Sequence, residues 1–146
     1  MTAMNRFASA LAALTLSSLT LAAPALAGDP SSLTLTFDTG ASTGKVMVAL
    51  YDSEAAWSGG APVRSALVEV AAGQRSATFN DLPEGDYGMK AFHDVNGDGA
   101  MNTNPFGMPV EPYAFSNNAV GNMGPARWDQ ARVTVSGAVT QSIRLH

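Results

Sequence analysis

Short runs in which apolar and polar residues alternate recur along most of this chain, and a period of two is the mark of strands with one buried face. Residues 32–37 (SLTLTF) form the first run. Lys45–Tyr51 (KVMVALY) forms the second. It is apolar on both faces for most of its length, so it is expected in the middle of a sheet. Residues 65–70 (SALVEV) and 75–79 (RSATF) flank a short turn containing Gly73 and predict a hairpin. Residues 86–93 predict a fifth strand, with Tyr87, Met89, Ala91 and His93 on one face and Gly88, Lys90 and Phe92 on the other. The lysine marks that second face as partly solvated. Residues 130–135 and 140–145 predict a terminal hairpin around Ser136 and Gly137.

Turn chemistry separates these runs. Residues 38–44 offer Gly40 and Gly44 for positive φ, and residues 80–85 place Pro83 and Gly85 in a tight link. Ser53 is placed to cap a single helical turn, which Gly59, Gly60 and Pro62 then end. Seven short strands with almost no helical periodicity predict an all-β domain, a single antiparallel β-sandwich. Tyr51, Trp57, Phe79 and Tyr87 are expected as core anchors. One interval breaks the rhythm. Residues 94–125 are far longer than a sandwich connection, and their apolar content (Met101, Phe106, Met108, Val110, Tyr113, Phe115) argues for an ordered functional loop.

Composition changes the picture first at the N-terminus. Arg6 precedes an apolar, small-residue run over residues 7–23, and Ala25-Leu26-Ala27 has the form that signal peptidase accepts. A signal peptide over residues 1–27 is therefore expected, with cleavage after Ala27 and one β-sandwich domain over residues 28–146. That places the mature protein in the periplasm or outside the cell. No other segment approaches the roughly 20 apolar residues of a membrane helix, so no membrane span is expected after signal removal. The chain has no cysteine. A disulfide framework and a lipoprotein anchor are thereby excluded, and stability must come from the core or a bound ion. Without Arg6 the acidic residues outnumber the basic ones by five, are dispersed, and face no basic patch. Nucleic acid is a poor partner for such a surface.

The candidate chemistry lies at the start of the long loop. Asp94, Asn96, Asp98 and Asn102 stand at relative positions 1, 3, 5 and 9 with Gly99 at position 6, and Ala100 is placed to offer a carbonyl. Calcium takes about six to eight oxygens, which a curled Asp/Asn loop can point inward while the glycine permits the reversal. The pattern is the front half of an EF-hand loop only. Position 12 is Pro105 rather than a bidentate glutamate, and no helix is predicted on either side. Glu111 or Asn104 would have to complete the set. With two formal charges among four positions, affinity should be weak, in the extracellular class. Asp, Asn and Gly also concentrate in turns, because they cap their own backbone and tolerate left-handed geometry.

Catalysis has less to stand on. Ser116 lies in no nucleophile elbow, two histidines are too few for a multi-histidine metal site, and His93 is expected at the sheet rim. A hydrolase using Glu111 and an aspartate such as Asp98 is the remaining catalytic alternative.

The run over residues 82–119 resembles the exported bacterial family catalogued as domain of unknown function 2141. The resemblance rests on Leu82, Pro83, Gly85 and Tyr87; on His93, Asp94 and Asn96; and on Gly107, Pro109, Glu111, Tyr113, Phe115, Ser116, Asn117 and Asn118. It extends more loosely through the whole mature chain, including the strand over residues 46–51 and the final hairpin. Members often carry Asp where this chain has Asn102, and Gly where it has Ala114, so one charge is missing from the candidate metal site. The resemblance implies export and a compact β-sandwich of immunoglobulin-like or transthyretin-like kind, with no established activity attached. The expected function is a non-catalytic binding module in which Glu111, Tyr113, Phe115, Ser116, Asn117 and Asn118 form a ligand-binding loop for an envelope protein, peptide or glycan. The alternative is a structural or accessory envelope domain without a ligand.

Overall fold

Strand β1 (Ser31–Asp38) buries Leu33, Leu35 and Phe37 and turns its threonines outward, as its alternation requires. A computed structural model describes residues 30–146; the expected signal segment, residues 1–27, lies outside them. β1 is the middle of a three-stranded sheet, between β4 (Ser76–Leu82) and β8 (Ala138–Arg144). The second sheet has five strands. β3 (Arg64–Glu69), β2 (Lys45–Tyr51), β5 (Gly85–Asp94) and β6 (Tyr113–Phe115) follow in that order, and β7 (Val133–Val135) pairs with the first residues of β5. β2 takes the interior place that its two apolar faces predicted. One core joins both sheets: Leu33, Leu35 and Phe37 meet Val46, Val48, Leu50, Met89 and Ile143. Burying each such side chain stabilises the fold by about 1.5–3 kcal/mol, which a chain without disulfides requires.

The pairing departs from expectation in three places. β3 and β4 do not form a hairpin: β3 pairs with β2 in one sheet and β4 with β1 in the other. The terminal pair separates in the same way, β7 to β5 and β8 to β1. The β1–β8 pair is parallel, so the domain is not purely antiparallel. Alternation decides which face a residue takes, not which strand lies beside it. At the second crossover the cause is visible. Ser31 Oγ accepts from the Gly137 amide at 2.8 Å, and Ser32 N donates to the Gly137 carbonyl at 3.0 Å, which seats the start of β8 alongside β1. The strand count also rises from seven to eight, because β6 forms inside the segment expected as loop. Residues 130 and 131 belong to helix α2 (Trp128–Ala131) rather than to a strand.

Helix α1 (Glu54–Gly59) forms as predicted, with Ser53 Oγ accepting from Ala56 N at 3.3 Å. It places Trp57 on the outer face of the five-stranded sheet. There Trp57 packs with Phe115 and Trp128, each at 5.9 Å between ring centres, and its Nε1 donates to the Ala126 carbonyl at 2.9 Å. Both indoles lie close over Gly88. A Cβ there would stand 2.7 Å from Trp128 Cζ3 and 2.9 Å from Trp57, so no larger residue fits without displacing a ring. This second, smaller core closes one end of the outer face.

Candidate functional site

The loop begins on a buried carboxylate. Asp94 ends β5 with its side chain fully enclosed, and the chain curls back around it. Its Oδ1 accepts from Gly97 N at 2.7 Å and Asp98 N at 3.1 Å, while Oδ2 accepts from Gly99 N at 2.9 Å. The Lys45 ammonium lies 3.9 Å from Oδ2. Positive φ at Gly97 and Gly99, 78° and 81°, lets three successive amides converge on one side chain. Glu111, also buried, closes the loop from its far end: its two oxygens accept from Val95 N at 3.2 Å and Asn102 N at 3.0 Å.

The four predicted ligand side chains do come together, but each is already engaged. Asn96 Nδ2 donates to Asp98 Oδ2 and to Asn102 Oδ1 at 2.8 Å, and Asn102 Nδ2 donates to Asp98 Oδ2 at 2.9 Å. Asp98 Oδ1 accepts from Ala100 N at 2.9 Å. The Asn102 amide, with the Ala100 amide and Asn96, holds the Asp98 carboxyl below its ordinary range. Among the described residues no group of three or more His, Cys, Asp or Glu side chains is arranged to hold a metal ion.

Ser116, Asn117 and Asn118 stitch the sheets together. Ser116 Oγ accepts from Met89 N at 2.9 Å and donates to the Ala131 carbonyl at 2.5 Å, wholly buried. Asn117 and Asn118 adopt left-handed φ of 59° and 51°, which asparagine tolerates. Asn117 Nδ2 donates to the carbonyls of Gln130 and Arg132; Asn118 joins the Ser142 carbonyl and the Arg144 amide of β8. Phe115 is buried beneath Trp57 and Tyr113 half-buried beside it. His93 is fully buried, and its Nε2 donates to the Thr43 carbonyl at 2.7 Å.

The open feature lies elsewhere, on the outer face of the five-stranded sheet, where the loop borders a groove of about 1540 Å³. Strand register lays out its floor in rows. Leu67, Met47, Phe92 and Tyr113 are successive neighbours across β3, β2, β5 and β6, and the next row is Ser65, Ala49, Lys90 and Phe115. Beyond it stand Tyr51 and the indole-covered Gly88. The loop supplies the facing wall with Met101, Phe106, Met108 and Met123. A tight turn presents Phe106 and Met108: Asn104 Oδ1 accepts from both their amides at 3.0 Å, and Thr103 bridges to Pro109. Phe106 is 88% exposed, Met108 58% and Leu67 52%, so they are no part of the core.

Among the described residues Lys90 is the one charged residue lining the groove. Its Nζ donates to the Trp57 carbonyl at 2.6 Å and sits 4.5 Å from the Trp57 ring and 4.8 Å from the Tyr51 ring. Burial pulls its pKa below the ordinary lysine value. Sequence patterning put Lys90 and Phe92 on the correct face. It gave no sign that the methionines of the loop would face them, because that depends on how residues 94–125 fold back.

A family model described as "Uncharacterized protein conserved in bacteria (DUF2141)" matches residues 38–143. No curated protein and no solved structure matches the chain.

Proposed function

The chain belongs to this uncharacterised bacterial family, and on that premise we propose that it is an exported, non-catalytic binding module whose ligand seat is the apolar groove. The observation that carries this reading is the wall of exposed Met and Phe side chains held against the apolar rows of the sheet. Contiguous exposed apolar surface marks interaction sites, and methionine suits walls that adapt to their ligand. Glu111, the acid of the hydrolase alternative, is buried and accepts a backbone amide on each oxygen, which supports a role in holding the loop. The run over residues 1–27 supports export. Within this proposal the two sheets form an immunoglobulin-like sandwich. The Tyr87 hydroxyl, donating to the Pro83 carbonyl at 2.8 Å four residues upstream, is the corner such sandwiches use. Calcium enters as a competitor of the loop's own hydrogen bonds, taken weakly at Asp94, Asn96, Asp98, Ala100 and Asn102.

The test uses N-phenyl-1-naphthylamine, a neutral apolar probe whose fluorescence rises out of water. The wild-type domain is expected to bind it saturably. The double variant Leu67→Glu/Met108→Glu is expected to lose the probe while its unfolding free energy stays within about 0.5 kcal/mol, since both residues are exposed. Undiminished binding by the double variant would move the ligand seat elsewhere. No binding by the wild type would favour an accessory envelope domain without a ligand.

A further inference from the structure

The groove is mostly apolar, with Ser65 and Asn104 among its neutral polar side chains, and among the described residues its one charge has no carboxylate within ion-pair distance. The ion pairs among the described residues join Lys45 to Asp94, Arg127 to Asp129, Arg132 to Asp86 and Arg144 to Asp38, leaving Lys90 without a carboxylate. An ammonium partly withdrawn from water is destabilised unless paired. Two ring faces and one carbonyl offset part of that cost, and one carbonyl occupies only one of its three N–H donors.

We infer, resting on the groove being a ligand seat, that its ligand is a single-chain alkyl carboxylate, with the acid on Lys90 and the chain along the Met47–Phe92 row under the loop. Each half of that ligand answers a feature of the site. The carboxylate supplies the missing counterion at the end closed by Trp57. The chain covers Leu67, Met47 and Phe92 and meets Met108 and Phe106 from the opposite wall. A peptide would bring many backbone donors and acceptors into a site with few to match them. A phosphate or sulfate head calls for several cations or a guanidinium fork, and the groove holds one lysine.

Isothermal titration of the wild-type domain with dodecanoate, dodecan-1-ol and dodecyltrimethylammonium separates the possibilities, each ligand kept below its aggregation limit. Dodecanoate should bind about tenfold more tightly than the alcohol, the effect of one charge-assisted contact, and the ammonium compound should bind weakest. In Lys90→Met, dodecanoate and the alcohol should bind alike, whereas Leu67→Glu/Met108→Glu should lose both. Equal binding of acid and alcohol by the wild type would overturn the carboxylate inference and leave the groove standing. Binding of none of the three would overturn both. Because the ranking of the three ligands is read on the wild type, the test survives a Lys90→Met variant that fails to fold.

Discussion

In two stretches of the long segment, residues 94–102 and 116–118, nearly every side-chain oxygen or amide meets another group of this chain. In the stretches between and beyond them Phe106, Met108, Val110, Val120 and Met123 stand exposed. The residue types usually associated with ligands build the frame here, and those usually associated with cores are left at the surface. The difference follows from what each group requires. A backbone that curls without sheet partners leaves its amides bare, and Asp94 and Glu111 are the acceptors that satisfy them. An apolar side chain at the tip of a framed turn makes no such demand and stays available.

Asp94→Ala should unsettle the polar stretch most. It strands the amides of Gly97, Asp98 and Gly99 and removes the anion beside Lys45. Loss of about 3–5 kcal/mol is expected, lowering the thermal midpoint by about 10 °C or more. Asp94→Asn should recover part of it. A midpoint unchanged in both variants would mean that the polar stretch is not the frame. Ser116→Ala tests the second polar stretch. It leaves the Met89 amide and the Ala131 carbonyl without their buried partner, for an expected loss of about 2 kcal/mol by denaturant titration. If Ser116 instead served a ligand, the free domain would keep its stability and lose only binding.

Sequence patterning reached the faces of the strands and stopped at their partners. The inward set Tyr87, Met89, Ala91 and His93 was legible from alternation alone, as were the interior place of β2 and the Ser53 cap. The two crossovers were not, because a turn of a few residues reads alike whether it closes a hairpin or carries the chain to the other sheet. The parallel partner of β1 lies 106 residues away at the Ser31–Gly137 anchor. At the site, the Asp/Asn spacing correctly gathered residues 94–102. Glu111 was named with them as a completing ligand, but that its two oxygens would take the amides of Val95 and Asn102 depends on how the loop folds back, which spacing does not give.

Acid should reveal the frame more gently. Hydrogen bonds from Asn102, Ala100 and Asn96 lower the pKa of Asp98, and those from Thr134 and Arg132 lower that of Asp86. A carboxyl depressed on folding contributes stability that is complete above the unfolded value, about pH 4 for aspartate, and lost as pH falls through the lower folded value. Urea midpoints should therefore hold from neutrality to about pH 4 and drop below it. Asp98→Asn and Asp86→Asn should each flatten that drop. Both side chains face solvent, so the effect should shrink in high salt.

Calcium gives the smallest expected effect and bears most directly on the division between frame and site. A cation entering residues 94–102 must take oxygens that now accept the amides of Gly97, Asp98, Gly99 and Ala100, and must turn the Asn96 and Asn102 amides around. Each displaced bond costs about 0.5–1.5 kcal/mol, or more to a charged group, which sets a toll on any affinity the two aspartates provide. At about 5 mM CaCl₂, a level suited to weak extracellular-type sites, the thermal midpoint should rise by no more than about 2 °C over that in EDTA. A larger rise, abolished by Asp98→Ala, would show that the polar stretch is a ligand site after all. The frame would then be metal-dependent, and the apolar groove, positioned by that frame, should lose its probe when calcium is removed.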